Sequence, residues 1–589
     1  MERVNQYEVV VGIDFGSSCS GYSFSFNNEK DINHGDIYKA NVDNKVPTEI
    51  ILDNNYSILQ FGATCQEYLK EKGYKSGHYF KNIKMHLYDK KTKIQSSNTE
   101  KSFPLVIVIS KVLEKLKELC LNQLKKLRGN NIDEQSIKWV VTVPAIWEDF
   151  QKSIMMEASI KCGLVSNNTD KSLFFALEPE AASLYCSRNN DINQNYLKEG
   201  NYYIICDLGG GTGDIVTHKV GCNKFLEEIK ASCGGPYGSN EIDKNIFEYI
   251  IFTIFGYKSF NELLKKSKEL RIEENEESEE SEEEFLFAQW CELERQIKNF
   301  KEGANNEKIE KNDYFPINCS IFKDFYDDQD IHDLIKRYNN ICFTEEMQIK
   351  VRSKKKWILE FPYKIIYNYI QKQAKSISDI IKDIIENCKY QINSVIFVGG
   401  YCSNEIIISL IKRELGILIS NYMQPSKPCL AIMDGAVLFG ISPNIINTRI
   451  SKYTIGQGTR SKWNNEKHSR FGKKVFDDWK KIWRCENSFD KFIERNQKVK
   501  LDQEITRSYT MVEPRYCNLK YYKSLFPDPT FTNENGVDYI GNCNIDAGAD
   551  YPEGERELTV TMKFGGTFID VKAKHIKSGK EVRITLDFE

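Results

Sequence analysis

The chain has 589 residues, of which 41% are hydrophobic and 28% charged, and a formal net charge of -3. That length gives about four domains or subdomains, and the near-neutral balance excludes the basic surplus that holds nucleic-acid phosphates. No secretory or transit pattern opens the sequence and no apolar run reaches bilayer length, so a soluble cytoplasmic protein without a membrane span is expected.

The 17 cysteines are scattered with no Cys-x-x-Cys pair. This predicts free thiols in a reducing compartment, with Cys19 packed beside a candidate phosphate site.

Val9 to Ile13 reads as a buried strand, and Asp14-Phe15-Gly16-Ser17-Ser18 as a small-residue turn into a second strand, Gly21 to Phe26. Between residues 78 and 88, Lys81 and Lys84 stand among aromatic and apolar side chains, and either amine can reach into a cleft. Pro104 to Leu127 has the spacing of an amphipathic helix. The strand Ile137 to Val143 stops at Pro144. A helix from Glu148 to Cys162, carrying Lys152, follows it and ends at Gly163. The strand Leu173 to Ala176 and the helix Pro179 to Cys186 continue the alternation, with Glu178 between them.

Tyr202 to Cys206 is an apolar strand that opens on Asp207-Leu208-Gly209-Gly210-Gly211-Thr212-Gly213-Asp214 and returns as Ile215 to Lys219. Three consecutive glycines leave the backbone bare, so its N–H groups can close on a phosphate, and Thr212 adds a hydroxyl. Asp207 and Asp214 cannot face phosphate unless a cation or water lies between, so the loop implies a metal. The first turn repeats this pattern of strand, Asp, apolar residue, glycine and hydroxyl, as an internal duplication would.

Gly234-Gly235-Pro236-Tyr237-Gly238-Ser239 is a third glycine-rich turn, able to offer amides to a terminal phosphate before a helix from Asn240 to Phe255. Residues 271–284 are almost wholly Glu and Ser, which predicts a solvated loop or exposed helix extension with Ser278 and Ser281 as candidate phosphorylation sites. Residues 285–300 return to helical spacing. Pro362 to Cys388 reads as a long helix before the strand Ser394 to Val398 and the turn Gly399-Gly400, where a nucleotide base can approach the backbone. Pro428 to Gly440 is a small-residue helix, and beyond Arg449 short alternating runs predict a β-rich region.

Together these motifs resemble the actin and 70-kDa heat-shock protein ATPase superfamily, and within it the heat shock 70 kDa protein 12 branch. The resemblance rests on both Asp-Gly hairpins, Val141-Thr-Val-Pro-Ala-Ile-Trp147, Leu177-Glu-Pro-Glu-Ala-Ala-Ser-Leu-Tyr185, Phe397-Val-Gly-Gly400 and the closing Met562-Lys-Phe-Gly-Gly-Thr567 with Ser578-Gly579.

The resemblance implies a duplicated, ribonuclease-H-like α/β fold of two lobes with ATP or ADP and Mg²⁺ in the cleft. The nucleotide-binding domain spans 1–447, with lobe I at 1–203 and 372–447, lobe II at 204–371 and the acidic insertion within it. A smaller β-rich domain covers 448–589.

The resemblance also implies residue roles. Asp14, Gly16, Ser17 and Ser18 form the first phosphate hairpin, and Asp207, Gly209, Gly210, Gly211, Thr212 and Asp214 the second, with Asp14 and Asp207 meeting the metal through water. Lys84 positions the attacking water, Lys81 being the alternative register, and Glu178 lies near metal-bound water. Pro144 and Lys152 relay nucleotide state between the lobes. Lysine replaces an arginine there and lacks its hydrogen-bonding fork. Glu294, Lys298, Gly399, Gly400, Tyr401 and Ser403 face the adenosine, and the turn at Gly234 and Gly235 is the candidate, from its own residues, for the terminal phosphate.

The base contacts depart from the pattern. Ile297 and Lys298 stand where Lys and Arg are usual, Tyr401 and Ser403 where Ser and Arg are usual, and Cys429 where Asp is common, which predicts weak base selectivity. The expected activity is slow Mg-dependent ATP hydrolysis that drives lobe movement on a protein client or partner. The alternative is a nucleotide-binding scaffold that turns over little ATP.

Overall fold

The computed structural model describes residues 7–585, apart from 28, 30, 38, 40–43, 130–131, 168–169, 171, 190, 275–279, 327–330, 343, 470, 479 and 567. The fold is mixed α/β.

Strand β1 (Val9–Asp14) is buried at every position, as its apolar run requires, and pairs antiparallel with β2 (Cys19–Phe26) and parallel with β3 (Ile137–Val143). Strand β4 (Leu173–Leu177) extends the sheet parallel to β3, and the short Asn33–His34 closes the other edge antiparallel to β2.

A second sheet repeats this order and these senses. β5 (Tyr202–Leu208) is antiparallel to β6 (Gly213–Val220) and parallel to β8 (Ser394–Val398), which is parallel to Asn421–Met423. β7 (Leu226–Gly235) lies antiparallel to β6. Beyond β7, Ile446–Ile450 and then Lys498–Lys500 add two further strands.

Two helices of small residues pack between the sheets, α1 (Glu178–Arg188) and α2 (Ala431–Ile441). Their closeness has a sequence cause, because a Cβ on Gly435 would stand 1.9 Å from the Ala181 carbonyl oxygen, and one on Gly12 of β1 would meet Met433 O at 2.8 Å. A larger residue at either glycine would separate the layers. The core they share joins Val10 and Val140 of the first sheet to Ile205 and Ile396 of the second. Aspartates at the ends of β1 and β5 are thereby held on rigid elements.

From Thr454 onward the described chain is mainly strand. One sheet has five strands, including Thr454–Lys462, Ile482–Ile493 and Tyr516–Ser524, and another has four, including Glu557–Phe564 and Asp570–His575. Alternate residues of Glu557–Phe564 are buried, and Leu558, Val560 and Met562 pack with Tyr521 and Ile540 across the two sheets.

The acidic run differs from expectation at its end. The described helices Phe260–Glu274 and Glu280–Glu302 flank it, while Ser278 lies outside the described residues. Glu283 is 6% exposed, accepts the Tyr74 hydroxyl and pairs with Lys75 at 2.7 Å and Lys268 at 3.3 Å. Burial opposes its ionisation, yet these hydrogen bonds and charges bring its carboxyl down to about 2. The described end of the run is therefore anchored at Glu283, while Glu282 and Glu284 beside it are exposed. No described helix is long and apolar enough to cross a membrane.

Candidate functional site

The two Asp-Gly hairpins meet at a cleft of about 870 Å³. Their contact depends on glycine, since a Cβ on Gly210 would stand 1.9 Å from Ser18 Oγ and one on Gly211 would stand 2.4 Å from Ser17 Oγ. Bare backbone against hydroxyl groups is the chemistry of a phosphate cradle.

Asn240 ties the hairpins together. Ser18 Oγ donates to its side-chain oxygen at 2.9 Å, while its backbone N–H donates to Gly210 O at 2.7 Å.

Lys84 lies on the short helix Ile83–Tyr88 and Glu178 opens α1; both are 5% exposed, and Lys84 Nζ donates to Glu178 Oε1 at 2.5 Å. Burial pushes Glu178 up to about 7, with Lys84 opposing and Asp14 and Asp214 adding to the rise. Asp207 is pushed well above the usual carboxylate range by burial and by the Glu178, Asp214 and Asp14 charges, and its Oδ1 is buried without a hydrogen-bond partner. Crowded carboxylates with an orphaned oxygen suit a cation, and the glycine hairpins beside them suit phosphate.

Lys81 is elsewhere in the cleft, paired with Glu294 at 2.5 Å, and Glu294 also accepts Trp290 Nε1 at 2.8 Å. Lys298, Gly399, Gly400, Tyr401 and Ser403 line the same cleft. Tyr401 is 5% exposed and its hydroxyl donates to Gln373 at 2.8 Å, so its ring is fixed by packing. Lys301, buried and paired with Asp243 at 2.5 Å, is a further lining residue. Cys19 also lines the cleft, and burial raises its thiol, in keeping with a packing role.

Five of the expected residues stand apart from the cleft lining. Asp214 is buried behind the hairpin, where its Oδ1 accepts the Ile146 N–H at 2.9 Å and the Thr212 hydroxyl adds a hydrogen bond. Gly234 and Gly235 pair with Asp214 and Gly213 in the sheet. A Cβ on Gly234 would stand 2.1 Å from Gly213 O, so close strand approach accounts for that glycine. The amides that follow are used by the second hairpin: Gly238 N–H donates to Gly211 O and Ser239 N–H to Gly209 O, both at 3.2 Å. Lys152 lines a separate cavity of about 410 Å³ with Glu148, Arg449, Lys452 and Phe568. Beside it, Pro144 O accepts the Trp147 N–H at 3.3 Å.

The sequence reading missed Lys45. Its Nζ donates to Asp14 Oδ2 at 2.5 Å and to the Cys429 carbonyl at 2.8 Å. Lys45-Val46-Pro47-Thr48 has no phosphate-binding pattern; the available signal is the Pro47 and Thr48 pair, whose neighbours dock on the first hairpin. Asn240, Lys301 and Gln373 were missed as well, being ordinary helix residues by type.

The family profile described as Hsp70 protein matches residues 70–321. Heat shock 70 kDa protein 12A of Mus musculus is 27% identical, covering 98% of this chain and 91% of that protein. Heat shock 70 kDa protein 12B of Homo sapiens is also 27% identical, over 99% and 91%. A chaperone protein HscA homolog of Rickettsia typhi is 26% identical over 44% of this chain and 42% of its own length. Residues 70–321 thus match the Hsp70 protein profile, and over nearly its full length the chain is similar to heat shock 70 kDa proteins 12A and 12B.

Proposed function

We propose that this nucleotide-binding Hsp70-like chain is a slow Mg-dependent ATPase that couples movement of two duplicated lobes to a protein client or partner. The repeated strand order of the two sheets supports the duplication. The proposed nucleotide-binding domain is 1–447 and the β-rich domain 448–589, joined through the strand Ile446–Ile450.

The observation that carries the reading is the Lys84–Glu178 pair at 2.5 Å in the cleft lined by both glycine hairpins. The backbone amides of Gly210 and Gly211 and the Ser17 hydroxyl hold phosphate oxygens, and the Ser18 and Thr212 hydroxyls join them by leaving Asn240 and Asp214, while the Gly209 N–H stays on the Thr212 carbonyl. Lys84 orients the attacking water, and Glu178, poised near neutrality, accepts a hydrogen bond from it. Asp207, whose buried Oδ1 has no hydrogen-bond partner, would hold Mg²⁺, and the ion would supply charge that offsets the phosphate oxygens. Among the described residues no group of three His, Cys, Asp or Glu side chains can hold a metal alone, which fits an ion completed by water and phosphate.

Coupling to the β-rich region is supported by Lys452, whose ammonium donates to the Ala145 carbonyl, and by Lys523, paired with Glu148 at 3.3 Å. Residue 146, beside them, donates its N–H to Asp214. Single-turnover hydrolysis of labelled ATP tests the reading: Lys84→Ala and Asp207→Asn each lower the rate on the order of 100-fold while ADP binding persists in Lys84→Ala. ATP bound but left intact by the wild type would favour the scaffold reading, which the buried Ile297 and the packed Tyr401 also support.

A further inference from the structure

We propose that Lys45 is a phosphate-binding cation of the cleft, one that compensates Asp14 in place of a metal and lets the first hairpin take a nucleotide's phosphates. The inference rests on the nucleotide-binding reading and adds to it a residue that the motifs do not mark.

Lys45 is 7% exposed and lines the cleft, with its ammonium on Asp14 Oδ2 at 2.5 Å. The other Asp14 oxygen accepts Thr142 Oγ1 at 3.2 Å. Both oxygens of Asp14 are therefore engaged by the chain itself, whereas Asp207 Oδ1 has no hydrogen-bond partner. The two aspartates that end equivalent strands are thus in different states, one compensated by an ammonium and the other suited to a metal.

The position of Lys45 is fixed by the first hairpin. Val46 and Pro47 pair with Ser20 and Cys19 of β2, Thr48 Oγ1 donates to Gly16 O at 2.8 Å, and Thr48 N–H donates to Ser18 O at 2.9 Å. Its stem crosses Gly21, where an added Cβ would stand 3.0 Å from Lys45 Cγ. The backbone of Lys45 therefore moves with the hairpin that would meet the phosphates. A lysine ammonium has three donors on a flexible stem, so one donor can stay on Asp14 while the one on the Cys429 carbonyl turns to a phosphate oxygen. A buried ion pair is weak support for stability by itself, which leaves room for a binding role.

The test is calorimetric titration of the full chain with ADP, with Mg²⁺ and with EDTA, beside Lys45→Met, Lys45→Arg and the double variant Lys45→Met with Asp14→Asn. The double variant leaves no unpaired buried carboxylate, and a thermal melt checks that each variant is folded. Wild type is expected to bind ADP in EDTA. Lys45→Met and the double variant lose about tenfold more affinity in EDTA than in Mg²⁺, and Lys45→Arg, which keeps the charge, loses less. Metal-free binding by the double variant equal to that of wild type, or an equal loss in both conditions, overturns the proposal and leaves the pair a structural one. A wild type that binds no ADP in either condition overturns the nucleotide reading, and this inference with it.

Discussion

Arg449 and Glu180 form a two-pronged pair, Nε to Oε1 and Nη2 to Oε2, each at 2.7 Å, and Arg449 Nη1 also donates to the Gly565 carbonyl at 2.7 Å. One side chain thus joins the helix that begins with Glu178, the strand Ile446–Ile450 and a turn of the last sheet. The two side chains are 12% and 3% exposed, so each charge depends on the other. Arg449→Ala is expected to cost about 3–5 kcal/mol in chemical denaturation, because it strands the Glu180 carboxylate. Lysine should not restore it, since a point charge cannot match the fork. A double change to Met and Leu should recover most of the loss, and a double variant as unstable as the single one would show that the stranded carboxylate is not the source of the cost.

The hairpins give a contrast within one run of glycines. Gly210→Ala places a methyl 1.9 Å from Ser18 Oγ, and Gly211→Ala places one 2.3 Å from Met85 Sδ, whereas at Gly209 the nearest atom is Thr212 O at 3.5 Å. Gly210→Ala and Gly211→Ala should weaken ADP binding at least about tenfold by spreading the hairpins, and Gly209→Ala should bind nearly as wild type does. Equal losses at all three positions would show that backbone freedom, not close approach, sets the requirement.

What the sequence made legible was whatever short-range pattern encodes. The apolar runs of β1 and β5, the glycines between Asp207 and Asp214, and the small residues of α2 each carry their role within a few positions. Partners far along the chain were not legible: Asn240 meets Ser18 across 222 positions, and nothing local to Lys45 points to Asp14. The acidic run misled only at Glu283, because charge composition predicts solvation there, while Tyr74 and Lys75 meet it from another part of the chain. In Gly234, a glycine needed for strand contact looks the same in sequence as one that admits a phosphate.

Stability should fall as pH rises from weakly acidic to neutral. Burial raises Glu228 from 4.5 to about 7, against the Ile450 N–H that its carboxylate accepts and the Lys452 and Arg449 charges, and the residue is 7% exposed. The native state then binds more protons than the unfolded chain between those values. Its contribution is present below the unfolded value and is lost as pH climbs through about 7, a change of about 3 kcal/mol. Glu178, raised to about 7 by burial, acts with the same sign. Glu283, held down to about 2, acts with the opposite sign below its unfolded 4.5, so a maximum on the acidic side is expected. Melting temperatures across about pH 4 to 8 measure this, and Glu228→Gln should flatten the upper limb. A wild-type limb that rises toward neutral pH would contradict the assignment.

Gly435→Ala tests whether the packing of α1 and α2 sets the catalytic geometry. The added methyl would overlap the Ala181 carbonyl, a backbone atom in the first turns of α1 that cannot rotate away. Overpacking of this kind costs about 1–3 kcal/mol, so the melting temperature should fall while the protein still folds. The helix also carries Glu178 as its first residue, and Lys84 reaches Glu178 from a separate helix. Pushing α1 away therefore lengthens the Lys84–Glu178 contact without touching either side chain. Hydrolysis should fall by more than ADP binding does, because misplacing a positioning group costs rate before it costs affinity. Binding and turnover falling by the same factor would mean that the helices only support the cleft, and that the position of Glu178 is set by its own contacts with Lys84.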